Sequence, residues 1–218
     1  MILNNKVINF LGDSITLGYG TSYTDNRFSS LIEKRCGLKR ANNYGIGGTR
    51  IARQKNRISP YDNQDFCVRC TEMDKEADII VVMGGINDHA HGDAPLGVSS
   101  DRTPDTFYGA CHYLMRTLLK TYPSAVIVIC TPTHYLYENE LRGIGDKKED
   151  VAIFSEYIKI IRDTAEYYSL PLLDLWKNSG LQPAVPAIGE KYFVDGIHPN
   201  DAGHMVLADR IIDFLTAL

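Results

Sequence analysis

The sequence is short of the features that mark several large classes of protein. No apolar run approaches the roughly 20 residues needed to cross a bilayer, so no membrane span and no membrane partner is expected. Met1 to Lys6 carry no charged leader, no separate apolar segment and no small-residue cleavage site, which points to a cytoplasmic protein. Basic residues are not in excess: 23 Lys and Arg against 27 Asp and Glu give a formal net charge of -4. That leaves no footprint for nucleic acid or an anionic membrane. Cysteines number five, an odd count that does not suggest a disulfide framework. Cys67-Val68-Arg69-Cys70 has the spacing of half a zinc site, but no second pair or His-x-His partner lies at a matching distance. Free thiols are the better reading, and Cys111 and Cys130 fall inside apolar segments as small core residues. Two nucleotide signatures are also missing. Gly45-Ile46-Gly47-Gly48 has neither the Gly-Lys-Ser/Thr ending of a P-loop nor the full dinucleotide fingerprint.

What is present fits one ordinary globular domain over residues 1–218, with a large core. Lys6 to Leu11 is a short apolar run closed by Gly12-Asp13-Ser14, the pattern of a buried strand running into a turn. A helix is predicted from about Asn26 to Cys36, stopped by Gly37, and a second strand near Lys39 to Tyr44. Arg50 to Asp74 shows no clean period and reads as irregular with room for a short helix. Asp78 to Met83 and Ala125 to Cys130 are continuous apolar runs, as expected of central strands covered on both faces. Between them lies a glycine-rich polar loop, His89 to Arg102. After it comes a helix capped by Thr103 with Pro104 first, burying Phe107, Ala110, Cys111, Leu114 and Leu118. A loop from His134 to Asp146, a long helix from Lys148 to Tyr168 and a short strand from Pro171 to Leu175 follow. A Pro/Gly-rich passage, Asn178 to Gly189, precedes Asp195-Gly196-Ile197-His198, and a last helix starts near Asn200. Strands alternating with helices imply a parallel sheet of about five strands with helices on both faces.

Four polar turns fall at or near carboxyl ends of strands, where open α/β sheets place their chemistry. Acyl transfer by serine needs a base, a group to hold that base, and donors for the oxyanion. Ser14 is the candidate nucleophile and His198 the base. Asp195, three residues earlier, can reach back to fix the imidazole. Gly45 offers a backbone N–H with no Cβ in a substrate's path, Asn87 a side-chain NH₂, and Ser14 its own N–H. Asp13 and Asn43 are assigned to bracing the serine loop and the second loop.

These blocks resemble the consensus segments of the SGNH hydrolase superfamily, the GDSL esterase/lipase family. Its four letters are met here by Ser14, Gly45, Asn87 and His198, in family order from Gly12 to Pro199. Ile15 stands where the family's nickname has Leu. The resemblance implies a flavodoxin-like three-layer α/β/α sandwich and hydrolysis of carboxylic esters or thioesters through an acyl-enzyme on Ser14, with no metal or other cofactor. Ser14 does not stand in a Gly-x-Ser-x-Gly elbow, which argues against the α/β-hydrolase fold.

Within that class the expected substrate is a small-molecule ester, first an acetylated sugar. The loops are polar and rich in tyrosine (Tyr19, Tyr23, Tyr44, Tyr135, Tyr137, Tyr192), and no apolar lid segment is visible. The alternatives are a lysophospholipase or acyl-thioesterase, and, from another class, a non-catalytic carbohydrate-binding relative. Asp88, His89, His91 and Asp93 could in principle serve a metal-dependent hydrolase, but a solvated loop is the simpler reading, with no metal site. His112, His134 and His204 read as ordinary, the last as a partly buried helix residue.

Overall fold

The computed structural model describes residues 1–57, 60–143, 147 and 150–218. Strand β1 (Val7–Gly12) is buried along its whole length and leads into a single helical turn, α1 (Ser14–Leu17). Helix α2 (Phe28–Cys36) buries Phe28 and Ile32 and ends at Gly37 in the left-handed conformation, as a terminal glycine favours. Strand β2 (Arg40–Gly45) follows, then the short α3 (Phe66–Arg69), β3 (Ile79–Met83) and α4 (Ile86–His91). The second half is α5 (Phe107–Thr121), β4 (Val126–Thr131), α6 (Phe154–Tyr167), β5 (Leu172–Asp174), α7 (Leu175–Asn178), α8 (Pro186–Tyr192) and α9 (Asp201–Ala217).

The strands form one sheet in the order β2-β1-β3-β4-β5, and every neighbouring pair is parallel. Parallel crossovers are right-handed. The step from β1 to β2 and the step from β3 to β4 run in opposite directions, so α2 and α5 cover opposite faces. Helix α9 packs on α2, and α6 packs on α5. This is the expected three-layer α/β/α sandwich. The chain moves from β1 outward to β2, then returns past β1 to β3, and such a reversal opens a crevice beyond the strands' carboxyl ends. In register, Gly12 lies opposite both Gly45 and Met83. The three strands therefore end level, directly beneath Ser14.

Several local expectations need correction. The helix expected to start at Thr103 begins at Phe107. Thr106 caps it and accepts from the Gly109 N–H at 3.0 Å. Pro104 is held outside the helix because its carbonyl accepts from the Arg53 N–H, while the Phe107 N–H is taken by Pro95 O. The long helix starts at Phe154 rather than Lys148, with Ile153 in extended conformation before it. Lys148 itself, and Asp146 at the end of the expected loop, lie outside the described residues. The Pro/Gly-rich passage contains α7's last residue and most of α8, which has Pro186 in its first turn, where a missing N–H costs nothing. The loop expected from His89 begins only at Gly92, because His89 to His91 complete α4, and His89 and Asp88 are buried. All five cysteines are free, and burial raises the pKa of Cys67 and Cys70, whose thiols donate to Ile51 O and Cys67 O. Among the described residues no helix is long and apolar enough to cross a membrane.

His204 is not partly buried but wholly so, stacked on Phe28 with its Nδ1 accepting from the Phe28 N–H at 3.1 Å. Burial lowers its pKa to about 4, against about 6.5 for an unfolded histidine. As pH falls the unfolded chain takes the proton first, so stability present above pH ~6.5 is lost between there and pH ~4. His204→Asn keeps an acceptor for Phe28 but removes the titration. Its melting temperature is expected to fall less steeply than that of the parent from about pH 7 to about pH 5. Parallel curves from scanning calorimetry would contradict this.

Candidate active site

Ser14 is the first residue of α1, so its N–H has no intrahelical acceptor. Asp13 caps the turn, its Oδ1 accepting from the Ile15 N–H at 3.0 Å. The Ser14 hydroxyl thus stands at the crevice on a backbone tied down on both sides. His198 reaches it from the far end of the chain: Nε2 lies 2.9 Å from Ser14 Oγ. Nδ1 lies 2.7 Å from Asp195 Oδ2, while Asp195 Oδ1 accepts from the N–H groups of Ile197 and His198 at 3.0 and 2.8 Å. Partial burial works to raise the Asp195 pKa, but those N–H groups and the imidazole outweigh it and hold the carboxyl below its usual range. The turn carrying both residues is closed by a bridge between Phe193 and Pro199, and Asn200 then caps α9. The ring of Tyr19 lies 4.4 Å from the His198 ring, centroid to centroid, and Tyr19 is exposed.

Of the expected oxyanion donors, Gly45 has its backbone N–H committed within the protein. The N–H of Gly45 donates to Asn43 Oδ1 at 2.9 Å, so it does not face a substrate. Its missing side chain serves packing, since a Cβ there would lie 2.1 Å from Leu17 N and 2.6 Å from Leu17 Cα. Gly45 is a glycine because α1 rests on it. Gly47, two residues on, is the one that lies against the serine: a Cβ at Gly47 would meet only Ser14 Cβ, at 3.9 Å. Among the described residues its N–H has no protein acceptor. Sequence pattern could not separate these glycines, because one ends β2 and the other lies only two residues beyond it.

Asn43 braces the second loop from two sides. Its Nδ2 donates to Thr16 O at 2.6 Å and Ser29 Oγ at 2.9 Å, tying β2 to α1 and α2. Asn87 is buried at the start of α4. Its Nδ2 donates to Thr49 O at 3.0 Å and lies 3.5 Å from Asp13 Oδ2, so one hydrogen is well bonded and the other weakly held beside the serine turn.

Two residues escaped the sequence reading. Arg69 is buried and fans out to the loop ends: Nη1 to Tyr44 O (2.6 Å), Nη2 to Gly12 O (3.1 Å) and Thr49 Oγ1 (2.9 Å), Nε to Gln64 O (2.8 Å). It comes from the segment with no readable period, where a lone arginine carries no signal. Arg50 likewise reaches His91, with Nη2 to Nδ1 at 2.8 Å.

The four residues weighed as metal ligands are committed elsewhere. Asp88 accepts from the Ile51 and Ala52 N–H groups, and Asp93 from those of Lys55 and Asn56. His89 is held by the Tyr135 hydroxyl and Glu140 O, and His91 by Arg50 and Asn87. Of the tyrosines, Tyr135 is core and the Tyr44 hydroxyl accepts from the Asp74 N–H.

The family model described as GDSL-like Lipase/Acylhydrolase family matches residues 10–206. The crystal structure of a protein from Lactobacillus plantarum is similar over 98% of both chains, with 30% identity and a TM-score of 0.83. An acetyl xylan esterase is similar at 21% identity over 95% of this chain and 98% of its own, TM-score 0.65. A two-domain esterase active on acetylated mannans is similar at 21% identity over 97% of this chain and 48% of its own, TM-score 0.66. A comparison with curated protein sequences finds no match.

The two glycines can be told apart by stability. Gly45→Ala is expected to lose about 1–3 kcal/mol or more through overpacking. Gly47→Ala, with open space around its new methyl, is expected to unfold in urea at the parent's midpoint. Equal midpoints for the two variants would undo the distinction.

Proposed function

The chain belongs to the GDSL-like lipase/acylhydrolase family, and from that membership we propose that it is a serine-dependent carboxylic ester hydrolase acting through Ser14, His198 and Asp195. The observation that carries the reading is the unbroken hydrogen-bond chain from Ser14 Oγ through the imidazole to Asp195, at 2.9 and 2.7 Å. Its order and tautomer suit one task. Asp195 holds the Nδ1 proton, which leaves Nε2 free to take the serine's proton as Oγ attacks an ester carbonyl.

Three donors then converge on the developing oxyanion: the N–H groups of Ser14 and Gly47 and Nδ2 of Asn87. Gly47 replaces Gly45 in this role because the Gly45 N–H is already spent on Asn43. As the tetrahedral intermediate collapses, the imidazolium protonates the departing alkoxide. Water, deprotonated by the same imidazole, next attacks the acyl-Ser14 ester and frees the acid. Asp13 acts as a brace of the nucleophile's turn, and no step calls on a metal or organic cofactor.

The substrate class we favour is an acetylated carbohydrate. Tyr19 supports it: an exposed ring standing beside the base offers a flat face where a sugar leaving group could stack. The related folds whose names record activity on acetylated xylan and mannan lean the same way.

Ser14→Ala is expected to abolish hydrolysis of p-nitrophenyl acetate with the circular dichroism melt unchanged, and to lose labelling by a fluorophosphonate probe. Retained turnover in the folded variant would overturn the assignment. Across acetyl, butyryl, octanoyl and palmitoyl esters, kcat/KM is expected to fall with acyl length. A rise would replace the deacetylase by a long-chain acyl hydrolase. Gly47→Ala is expected to lose about 10²-fold in kcat, the scale of a disturbed oxyanion donor.

A further inference from the structure

Asn87 can serve an oxyanion only if its amide is turned the right way round, because the same side chain rotated by half a turn would present an acceptor. The structure contains a device that settles this. Asn87 Oδ1 lies 2.9 Å from His91 Nε2, one helical turn further along α4. On the other side of that ring, Arg50 Nη2 lies 2.8 Å from Nδ1. Arg50 in turn pairs with Asp62 Oδ1 through Nη1 at 2.6 Å, and both partners are largely shielded from solvent. Resting on the oxyanion reading of Asn87, we infer that His91 and Arg50 form a positioning relay that fixes the orientation of the Asn87 amide for catalysis.

The logic is one of donors and acceptors. A guanidinium has only protons to give, so Nδ1 of His91 must be the accepting nitrogen. The ring's single proton then sits on Nε2, and it can donate only to an oxygen, which must be Oδ1 of Asn87. The amide nitrogen is thereby turned toward Thr49 O and Asp13. A protonated His91 would lose its bond to Arg50. Burial first, and the neighbouring positive charge of Arg50 second, lower its pKa to about 4, so the ring stays neutral in ordinary assay conditions. Asp62 completes the chain by fixing the guanidinium. His91 touches no reacting atom in this arrangement and acts entirely through Asn87.

A double-mutant cycle on p-nitrophenyl acetate hydrolysis tests this, with Ser14→Ala as the inactive reference. His91→Leu keeps an apolar ring-sized volume without a donor. It is expected to lower kcat by about 10–10²-fold, short of the full loss of an oxyanion donor, with KM nearly unchanged. His91→Gln, which restores an N–H near the Nε2 position, is expected to recover most of that loss. In an Asn87→Ala background, His91→Leu is expected to cost nothing further, within about twofold. Arg50→Met, which leaves the imidazole in place but frees its tautomer, runs through the same cycle should His91→Leu fail to fold. If Asn87→Ala is impaired and the second substitution lowers kcat by the same factor in both backgrounds, the relay is overturned while the esterase reading stands. If Asn87→Ala keeps the parent's kcat, the oxyanion role of Asn87 falls and the relay falls with it.

Discussion

Three parallel strands end level: Gly12 on β1 faces Gly45 on β2 and Met83 on β3. This register is the constraint on which the rest of the site depends. A parallel sheet fixes register through evenly spaced backbone hydrogen bonds, and a slip of one residue would turn every side chain to the opposite face. With the strands flush, the turns that follow them have to share one crevice. Ser14, Gly47 and Asn87 come from segments that are distant in sequence and are placed side by side by the sheet alone. His198, 184 residues from Ser14 and carrying Asp195 on the same turn, then has to be delivered from elsewhere. The closed turn from Phe193 to Pro199 delivers it, with the cap of α9 immediately behind.

Flush strand ends bring carbonyl groups together, and these need donors. Arg69 meets that need. Its guanidinium is buried and serves Gly12 O, Tyr44 O, Thr49 Oγ1 and Gln64 O at once. Burial drags its pKa down to about 10, the mark of a charge held where water would otherwise stabilise it. Such a cation is retained despite its desolvation cost because removing it would strand several buried acceptors together. Its position links the loop that carries Ser14 to the loop that carries Gly47. On the proposed mechanism, the rigidity of the oxyanion donors would come from a residue that touches no reacting atom.

The sequence disclosed these layers unequally, for physical reasons. β3 and β4 were legible because a strand covered on both faces has to be apolar throughout, and Ile79 to Met83 and Val126 to Cys130 are. Ser14 and Asn87 could be singled out because each stands just beyond a buried strand, and Asp195 and His198 because of their Asp-x-x-His spacing; the hydrogen bonds that join Ser14, His198 and Asp195 appear only in the fold. Gly45 and Gly47 were not separable, since glycine is wanted both where backbone packs on backbone and where a substrate approaches, and spacing does not say which. Arg69 and Arg50 were invisible because their partners are mostly backbone carbonyls and a distant histidine, and neither choice leaves a periodic trace. His89 and His91 read as loop residues in the sequence because a six-residue helix opened by two glycines carries too little amphipathic pattern to be seen. The start of α5 was misplaced because Thr103-Pro104 satisfies local capping rules, while the tie from the Arg53 N–H to Pro104 O that holds the proline outside is tertiary.

Ser14, Asn87 and His198 each have an aspartate close by in the chain, Asp13 and Asp88 adjacent and Asp195 three residues away, and the three aspartates are not equivalent. Asp13 and Asp88 are wholly buried, and desolvation pushes each pKa up to about 6 despite the backbone N–H groups they accept. They tie down Ile15 on one side and Ile51 and Ala52 on the other. Lys147, buried with its Nζ on Asp88 O, adds positive charge beside the second. Asp195 is exposed, and its hydrogen bonds hold it ionised. On the proposed mechanism the difference follows from the work required. A carboxylate that anchors a loop can tolerate burial, because the backbone N–H groups it accepts offset part of the desolvation cost. A carboxylate that must steady an imidazolium has to remain charged when the proton arrives, and partial contact with solvent is the simplest way to keep it so. The sequence repeats one residue type close to each of these side chains, and the fold sets their surroundings apart by depth.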